Sequence, residues 1–290
     1  MSGIRGDWPD LLIGSQRGLW LLRNGQFSRF IESEAPFYGI TWNEENVFVS
    51  ADAELYCLSF SGDRKVIKNG LKYNNGQGRI HQILCEDHRL FITNTGKNRI
   101  DVYDLRTHQY TSVDCNQVIA EADAHHLNSL FLTAESQIYV CNHNRGKSFI
   151  RVFDSQFKEL RTFTQVGVCN HNVYIEDGKL ITLNSSAGRI TFVNLVSGEH
   201  SDIEIDRSIF ADENLRFARG LTRTRDRILV AVSRLSDDRD LRDAGGIIMY
   251  NNNFEPLDAL RIPVAAQIYE IRVISEVDHA HNRLPFPLAY

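Results

Sequence analysis

Short apolar runs rich in β-branched and aromatic residues recur along this chain, each bounded by Gly, Asn, Asp or Ser. Arg89 to Asn94 is followed by Arg99 to Asp104 and by a third run near Tyr110 to Val113. Gln137 to Asn142 is followed by Phe149 to Asp154, and Lys179 to Asn184 by Arg189 to Asn194. Asn46 to Ser50 with Glu54 to Leu58, and Arg227 to Val232 with Gly246 to Tyr250, repeat the arrangement. Runs of this composition between turn residues form strands joined by hairpins. No window sustains a helical period, so the pattern predicts an all-β chain.

A second, longer period lies over the first. Related segments occur at Tyr38, His81, His126, His171, Arg219 and Tyr269, at steps of 43, 45, 45, 48 and 50 residues. Four-stranded propeller blades repeat at this interval. The opening runs, Leu11 to Ser15, Gly18 to Leu22 and Gln26 to Phe30, have no inner strand before them, and the final run, Ile268 to Ile274, has nothing after it. Together they predict a composite blade from residues 11–33 and 267–276. The expected architecture is a single six-bladed β-propeller domain over 1–290, its ring closed by the two ends of the chain so that no sheet edge stays open.

Register sharpens the repeat. Val47, Leu90, Leu180 and Ile228 each stand nine residues after Tyr38, His81, His171 and Arg219, which makes those four positions equivalent. In the fourth copy Ile138 stands twelve residues after His126, so counting puts Ser129 in the column and His126 upstream of it.

Charge and cysteine usage narrow the class. A net charge of −5, with 24% charged residues, offers no positive field for nucleic acid or an anionic membrane. The first residues lack the apolar run of a leader, and no stretch approaches the ~20 apolar residues of a membrane span, so a soluble, cytoplasmic protein is expected. Cys57, Cys85, Cys115, Cys141 and Cys169 are odd in number and contain no CxxC pair, which fits reduced thiols. Cys57, Cys85 and Cys141 fall in apolar strand patterns, where a small buried residue is the ordinary reading.

The starts of inner strands and the ends of second strands meet at one mouth of a propeller. His81, His126 and His171, from successive repeats, are therefore expected near a shared axis. Neutral imidazoles crowded together lack donors and protonated ones repel, and a divalent transition metal (zinc, iron or copper) resolves both problems. The alternative is that each ring bonds a loop carbonyl or water. Extended backbone turns His125 away from His126, so one of the two faces the axis. Glu270 is the candidate general base beside the metal and Arg219 the candidate anchor for an anionic substrate group, unless the two pair across the channel. Asn128, Asn142, His143, Asn172, Tyr38 and Tyr269 complete the rim as candidate substrate contacts. The charged run Arg234 to Asp243 reads as a solvated loop or a lid, and Asn74 to Gly78 as a turn-rich loop. His279 and His281 read as a surface tail on the opposite face.

The blade pattern, the Asn and His rim and the closure by both termini resemble the six-bladed propellers of gluconolactonases and related lactone hydrolases. That resemblance implies an axial metal held by one Glu with Asn and Asp ligands, and Glu270 is the carboxylate that matches. The histidine-rich axis is also similar to carotenoid-cleaving oxygenases, which hold iron with histidines on a larger, seven-bladed ring. The leading expectation is thus a metal-dependent enzyme acting on a small polar molecule in the axial funnel, whether as hydrolase, lyase or oxygenase. The other is a non-catalytic propeller that binds a protein or glycan partner through the same face.

Overall fold

The structure, a computed structural model, describes residues 7–33, 35–60, 66–73, 79–114, 125–144, 146–210, 212, 214–235, 245–262 and 267–286. The chain opens with β1 (Leu11–Ser15), β2 (Gly18–Arg23) and β3 (Gln26–Glu32). Five four-strand groups follow. Blade 1 is β4 (Phe37–Trp42), β5 (Val47–Ala51), β6 (Glu54–Phe60) and β7 (Val66–Gly70). Blade 2 is β8 (Ile80–Glu86), β9 (Arg89–Asn94), β10 (Arg99–Asp104) and β11 (Tyr110–Asp114). Blade 3 is β12 (Leu127–Leu132), β13 (Ile138–Asn142), β14 (Phe149–Phe153) and β15 (Glu159–Phe163). Blade 4 is β16 (His171–Glu176), β17 (Lys179–Asn184), β18 (Arg189–Asn194) and β19 (His200–Glu204). Blade 5 is β20 (Phe217–Arg223), β21 (Arg227–Ser233), β22 (Gly245–Asn251) and β23 (Pro256–Arg261). The last strand, β24 (Ile268–Val273), pairs antiparallel with β1 and makes the sixth blade, in the order β24-β1-β2-β3. Inner strands touch their neighbours all the way round, from β4 to β8, β12, β16, β20, β24 and back to β4. The fold is a six-bladed β-propeller closed by the chain's own ends.

Burial follows from this geometry. Second strands lie between two neighbouring blades and are apolar on both faces: β5 and β13 are buried at every position. Outer strands meet water, and β15 and β19 are exposed at most positions. The apolar cores therefore sit between blades, as in the cluster of Leu11, Ile13, Leu229, Ile247 and Ile271 that joins blades 5 and 6.

Every inner strand carries a register slip at the same depth. The breaks fall between Phe37 and Gly39, Ile80 and Ile83, Leu127 and Ser129, His171 and Val173, Ala218 and Leu221, and, on β24, between the partners of Gly14 and Ser15. A bulge leaves a residue out of the ladder and re-aims its side chain. Here it turns residues toward the axis that a flat strand would point along the sheet. Pairing also corrects the count made from sequence. Leu127 opposes Asn142 as Ile80 opposes Asn94, so Asn128, not Ser129, is the equivalent of His81. Of the three extra residues of the fourth copy, one lies in the hairpin between Leu132 and Ile138, and the other two are the upstream offset from Asn128 back to His126.

The C-terminal segment corrects a second expectation. His279 is exposed, but His281 is 4% exposed and lies inside the channel's far end. The residues after β24 fold back across that opening. Asn282 donates to Leu132 O at 2.7 Å, Arg283 pairs with Glu86 at 2.8 Å, and Trp42 Nε1 donates to Leu284 O at 2.8 Å. A segment that fastens to blades 1, 2 and 3 is a plug, and its polar groups satisfy the strand ends there.

Candidate functional site

Two layers of side chains line the axis. The upper layer holds Tyr38, His81, Asn128, His171, Arg219 and Tyr269, and the lower one Gln82, Ser129, Asn172 and Glu270, with Gly39 and Gly220 completing it. Between them is a cavity of about 20 Å³, room for roughly one water molecule. The expected funnel is therefore closed at this depth.

The mouth is a ring of rings. Tyr38 stands 4.6 Å from His81, His81 4.8 Å from His126, His126 4.9 Å from His143 and His143 5.0 Å from His171. His171 meets Phe217 at 5.4 Å, the Arg219 guanidinium lies 5.0 Å over Phe217 and 5.1 Å over Tyr269, and Tyr269 returns to Tyr38 at 4.6 Å. Offset and edge-to-face contacts at these separations are attractive, and the faces of Phe217 and Tyr269 favour the cation. His126 enters from the loop with a left-handed backbone, φ 47°, while His125 packs outward on Phe149 at 5.6 Å.

Hydroxyl groups behind the mouth set the proton positions. Thr95 follows β9 and donates its single hydrogen to Leu127 O of the next blade. It can only accept at the 2.7 Å contact with His81 Nδ1, so that nitrogen carries the ring's proton and Nε2 is a lone pair. Ser185 follows β17 and repeats the device: it donates to Ala218 O at 2.6 Å and accepts from His171 Nδ1 at 2.8 Å. His171 Nε2 then accepts from Arg219 Nε at 3.1 Å. Both imidazoles are neutral. Burial holds each well below the ordinary histidine range, and neighbouring charge adds to it, from Arg219 above all at His171. Asn94-Thr95, Asn142-His143 and Asn184-Ser185 are equivalent pairs in successive blades, so His143 occupies the slot of the orienting hydroxyl.

Glu270 is 2% exposed and already engaged. Its Oε1 accepts from Arg272 Nη1 at 2.5 Å and from Ile271 N at 3.1 Å, and its Oε2 from Gln82 Nε2 at 3.2 Å. Arg272 also donates to Ile40 O at 2.9 Å and to His281 Nε2. His281 Nδ1 meets Asp278 Oδ2 at 2.8 Å. Gln82 accepts from Leu130 N at 2.7 Å. This bolt ties blades 1, 2, 3 and 6 to the plug. The partner of Glu270 is thus Arg272, one layer below Arg219, and not Arg219 itself.

The structure brings His81, His126 and His171 to one mouth with His143 between the last two. Among the described residues, no three His, Cys, Asp or Glu side chains stand where they would share a metal ion. The rings face one another edge to face, both assignable Nδ1 atoms donate to hydroxyls, and Arg219 brings positive charge against His171. The expected metal set does not fit this arrangement. Asn128 donates to Asn170 O at 2.7 Å and Asn172 accepts from Gly220 N at 3.0 Å, so both brace neighbouring strands. Asn142 is buried behind the mouth and donates to Val140 O at 3.1 Å. Phe217, Thr95 and Ser185 carry parts of the site that strand patterning did not mark.

Burial pushes the Cys85 and Cys141 thiols up to about 12, which keeps them unreactive at neutral pH. Cys57 is half-buried instead of buried. Cys115, the 236–243 part of the charged run and the loop 74–78 lie outside the described residues. A cleft of about 540 Å³ opens between blades 2 and 3 on the side away from the mouth, floored by Phe91, Val102, Ile138 and Phe157. No helix among the described residues is long and apolar enough to cross a membrane.

No family model matches the chain, and no curated protein matches it. Solved structures do. A chain of a nidogen/laminin complex is 12% identical, with 91% of this chain and 97% of that one covered at a TM-score of 0.70. A protein of unknown function from Bacteroides caccae is 10% identical over 91% and 98%, at 0.68. Virginiamycin B lyase from Staphylococcus aureus is 14% identical over 79% and 70%, at 0.53. At these identities the likeness is one of fold, and it places the chain among the propellers.

Proposed function

We propose that this propeller is a non-catalytic binding module that receives an acidic segment of a partner protein at the aromatic and imidazole mouth of its axis. The observation that carries the reading is Arg219. Its guanidinium sits among rings, and no described carboxylate pairs with it, whereas Arg272 one layer below is matched by Glu270. An arginine held between aromatic faces is a recognition group for a carboxylate, and aromatic residues with arginine are the usual anchors of a protein interface. The cavity of about 20 Å³ beneath it is too small for a metabolite-sized substrate. A similarly folded chain occurs in a nidogen/laminin complex, which supports the binding reading by analogy of fold alone.

The test is a titration of the purified protein with a labelled hexaglutamate peptide, followed by fluorescence anisotropy, against a hexaglutamine control. Binding of the acidic peptide alone, lost in Arg219→Gln, supports the reading; equal binding of both peptides, or of neither, removes it. Metal analysis of untagged protein addresses the enzyme reading. Near-stoichiometric zinc, iron or copper that disappears in a His81→Ala, His171→Ala double variant would replace the binding reading with a metal-dependent one.

A further inference from the structure

We infer that the mouth is a carboxylate subsite in which Arg219 supplies the charge and His81 takes up a proton as the ligand arrives. The inference rests on the binding role proposed above and adds its chemistry.

The groups facing His81 are all accounted for by element. Blade 1 presents Tyr38, the loop before β12 His126, the turn after β13 His143, blade 4 His171, blade 5 Arg219 and blade 6 Tyr269, and Arg79, just before β8, adds its positive charge from further off. Two are cations, three are imidazoles and two are phenols. Among the described residues the carboxylate that lines the same cavity is Glu270 in the layer below, and it is already engaged by Arg272, Ile271 N and Gln82. The mouth is therefore positive and short of an anion.

His81 has one nitrogen to spare. Thr95 fixes the ring's proton on Nδ1, and Nε2 has no partner among the described residues. His171 has none to spare, since Arg219 already donates to its Nε2. An incoming carboxylate offers two acceptor oxygens. Arg219 can donate to one through its Nη groups, but the lone pair on His81 Nε2 would meet the other with acceptor against acceptor. A proton from solvent on Nε2 turns that contact into a charge-assisted hydrogen bond and makes both ring nitrogens donors. One N–H bond forms at Nε2 and one bond to hydrogen breaks in the hydronium ion or buffer acid that gives up the proton; no other bond changes. Without a ligand, the same protonation would add positive charge beside Arg219 and in the field of Arg79, so the ring stays neutral until an anion enters. Linkage then requires that affinity rise as pH falls.

Acetate is the probe, followed by the imidazole Hε1 resonances in NMR titrations from pH 5.5 to 8. In the wild-type protein acetate should shift the His81 signal, and its dissociation constant should rise with pH, approaching tenfold per unit where one proton is taken up. His81→Gln should bind acetate with no pH dependence over the same range, and Arg219→Gln should weaken binding at least tenfold. Acetate that fails to bind, or binds the wild type with an affinity flat in pH, overturns the inference without need of any variant. The hexaglutamate titration separates the two readings. Peptide binding that needs Arg219 but ignores pH leaves the binding module standing and removes the proton uptake; acetate binding with proton uptake, in a protein that ignores the peptide, does the reverse.

Discussion

Arg219 donates its Nε–H to Nε2 of His171 at 3.1 Å, while Ser185 holds the opposite edge of the same ring at 2.8 Å. The imidazole is spanned between a cation and a hydroxyl and has no choice of tautomer. That arrangement spends stability on a charge with no described counter-ion, a condition typical of groups kept for binding.

Replacing Arg219 by methionine should therefore leave stability unchanged or raise it by about 1 kcal/mol, because an apolar chain keeps the packing on Phe217 and Tyr269 and removes the desolvated charge. Urea unfolding monitored by circular dichroism measures this. A fall of the midpoint beyond that of an ordinary surface substitution would mean that the guanidinium is structural.

The Glu270–Arg272 pair should behave in the opposite way. Both groups are buried and share one short contact at 2.5 Å. Glu270→Gln leaves Arg272 charged with no carboxylate against it and should cost about 3–5 kcal/mol, whereas the double variant Glu270→Gln, Arg272→Met should recover most of that loss. Equal losses in the single and double variants would show that the pair does not act as a unit.

The whole ring, its closure by β24 and the column of Tyr38, His81, His171 and Arg219 were legible in the sequence, because strand alternation and the nine-residue spacing survive without any contact information. The bulges were not. A period of two is blind to which residue a slip leaves unpaired, so the column position went to Ser129, and Asn128 was marked only as a rim residue although both lie in β12. The plug was missed because Asp278 and His281 are polar, and polar residues after a last strand read as surface until Arg272 is seen to need them. Thr95 and Ser185 had a visible signal in the recurring Asn-Thr, Asn-His and Asn-Ser pairs, which became meaningful only once pairing aligned the blades.

Stability should fall as pH is lowered. Burial holds His81, His171 and His281 below the ordinary histidine range, so between those depressed values and about 6.5 the unfolded chain binds more protons than the folded one. Stability is then fully present above about pH 6.5 and lost below it, with up to about 1.4 kcal/mol per pH unit for each histidine. Urea midpoints between pH 7.5 and 5 should decline, and the slope should shrink in His81→Gln, His171→Gln. A midpoint that rises toward pH 5 contradicts neutral imidazoles at the mouth.

Gly39 tests the close approach of blades 1 and 2 at the axis. A Cβ there would meet His81 O at 2.5 Å, Ile83 N at 2.8 Å and Ser50 Oγ at 2.8 Å, and two of those three are backbone atoms that cannot step aside. Ser50 Oγ donates to that same His81 carbonyl at 2.8 Å, so displacing either strand also stretches the bond that fixes where His81 begins. Gly39→Ala should cost about 1–3 kcal/mol through overpacking. Gly70→Ala in the outer strand β7, where nothing lies within 4 Å, should be neutral within about 0.5 kcal/mol. Because the shift would be passed to His81, Gly39→Ala should also move the His81 Hε1 resonance, which Gly70→Ala leaves in place. Matching stabilities for the two variants would mean that the inner strands are not held at this separation, and the mouth would then lack the fixed spacing on which carboxylate recognition depends.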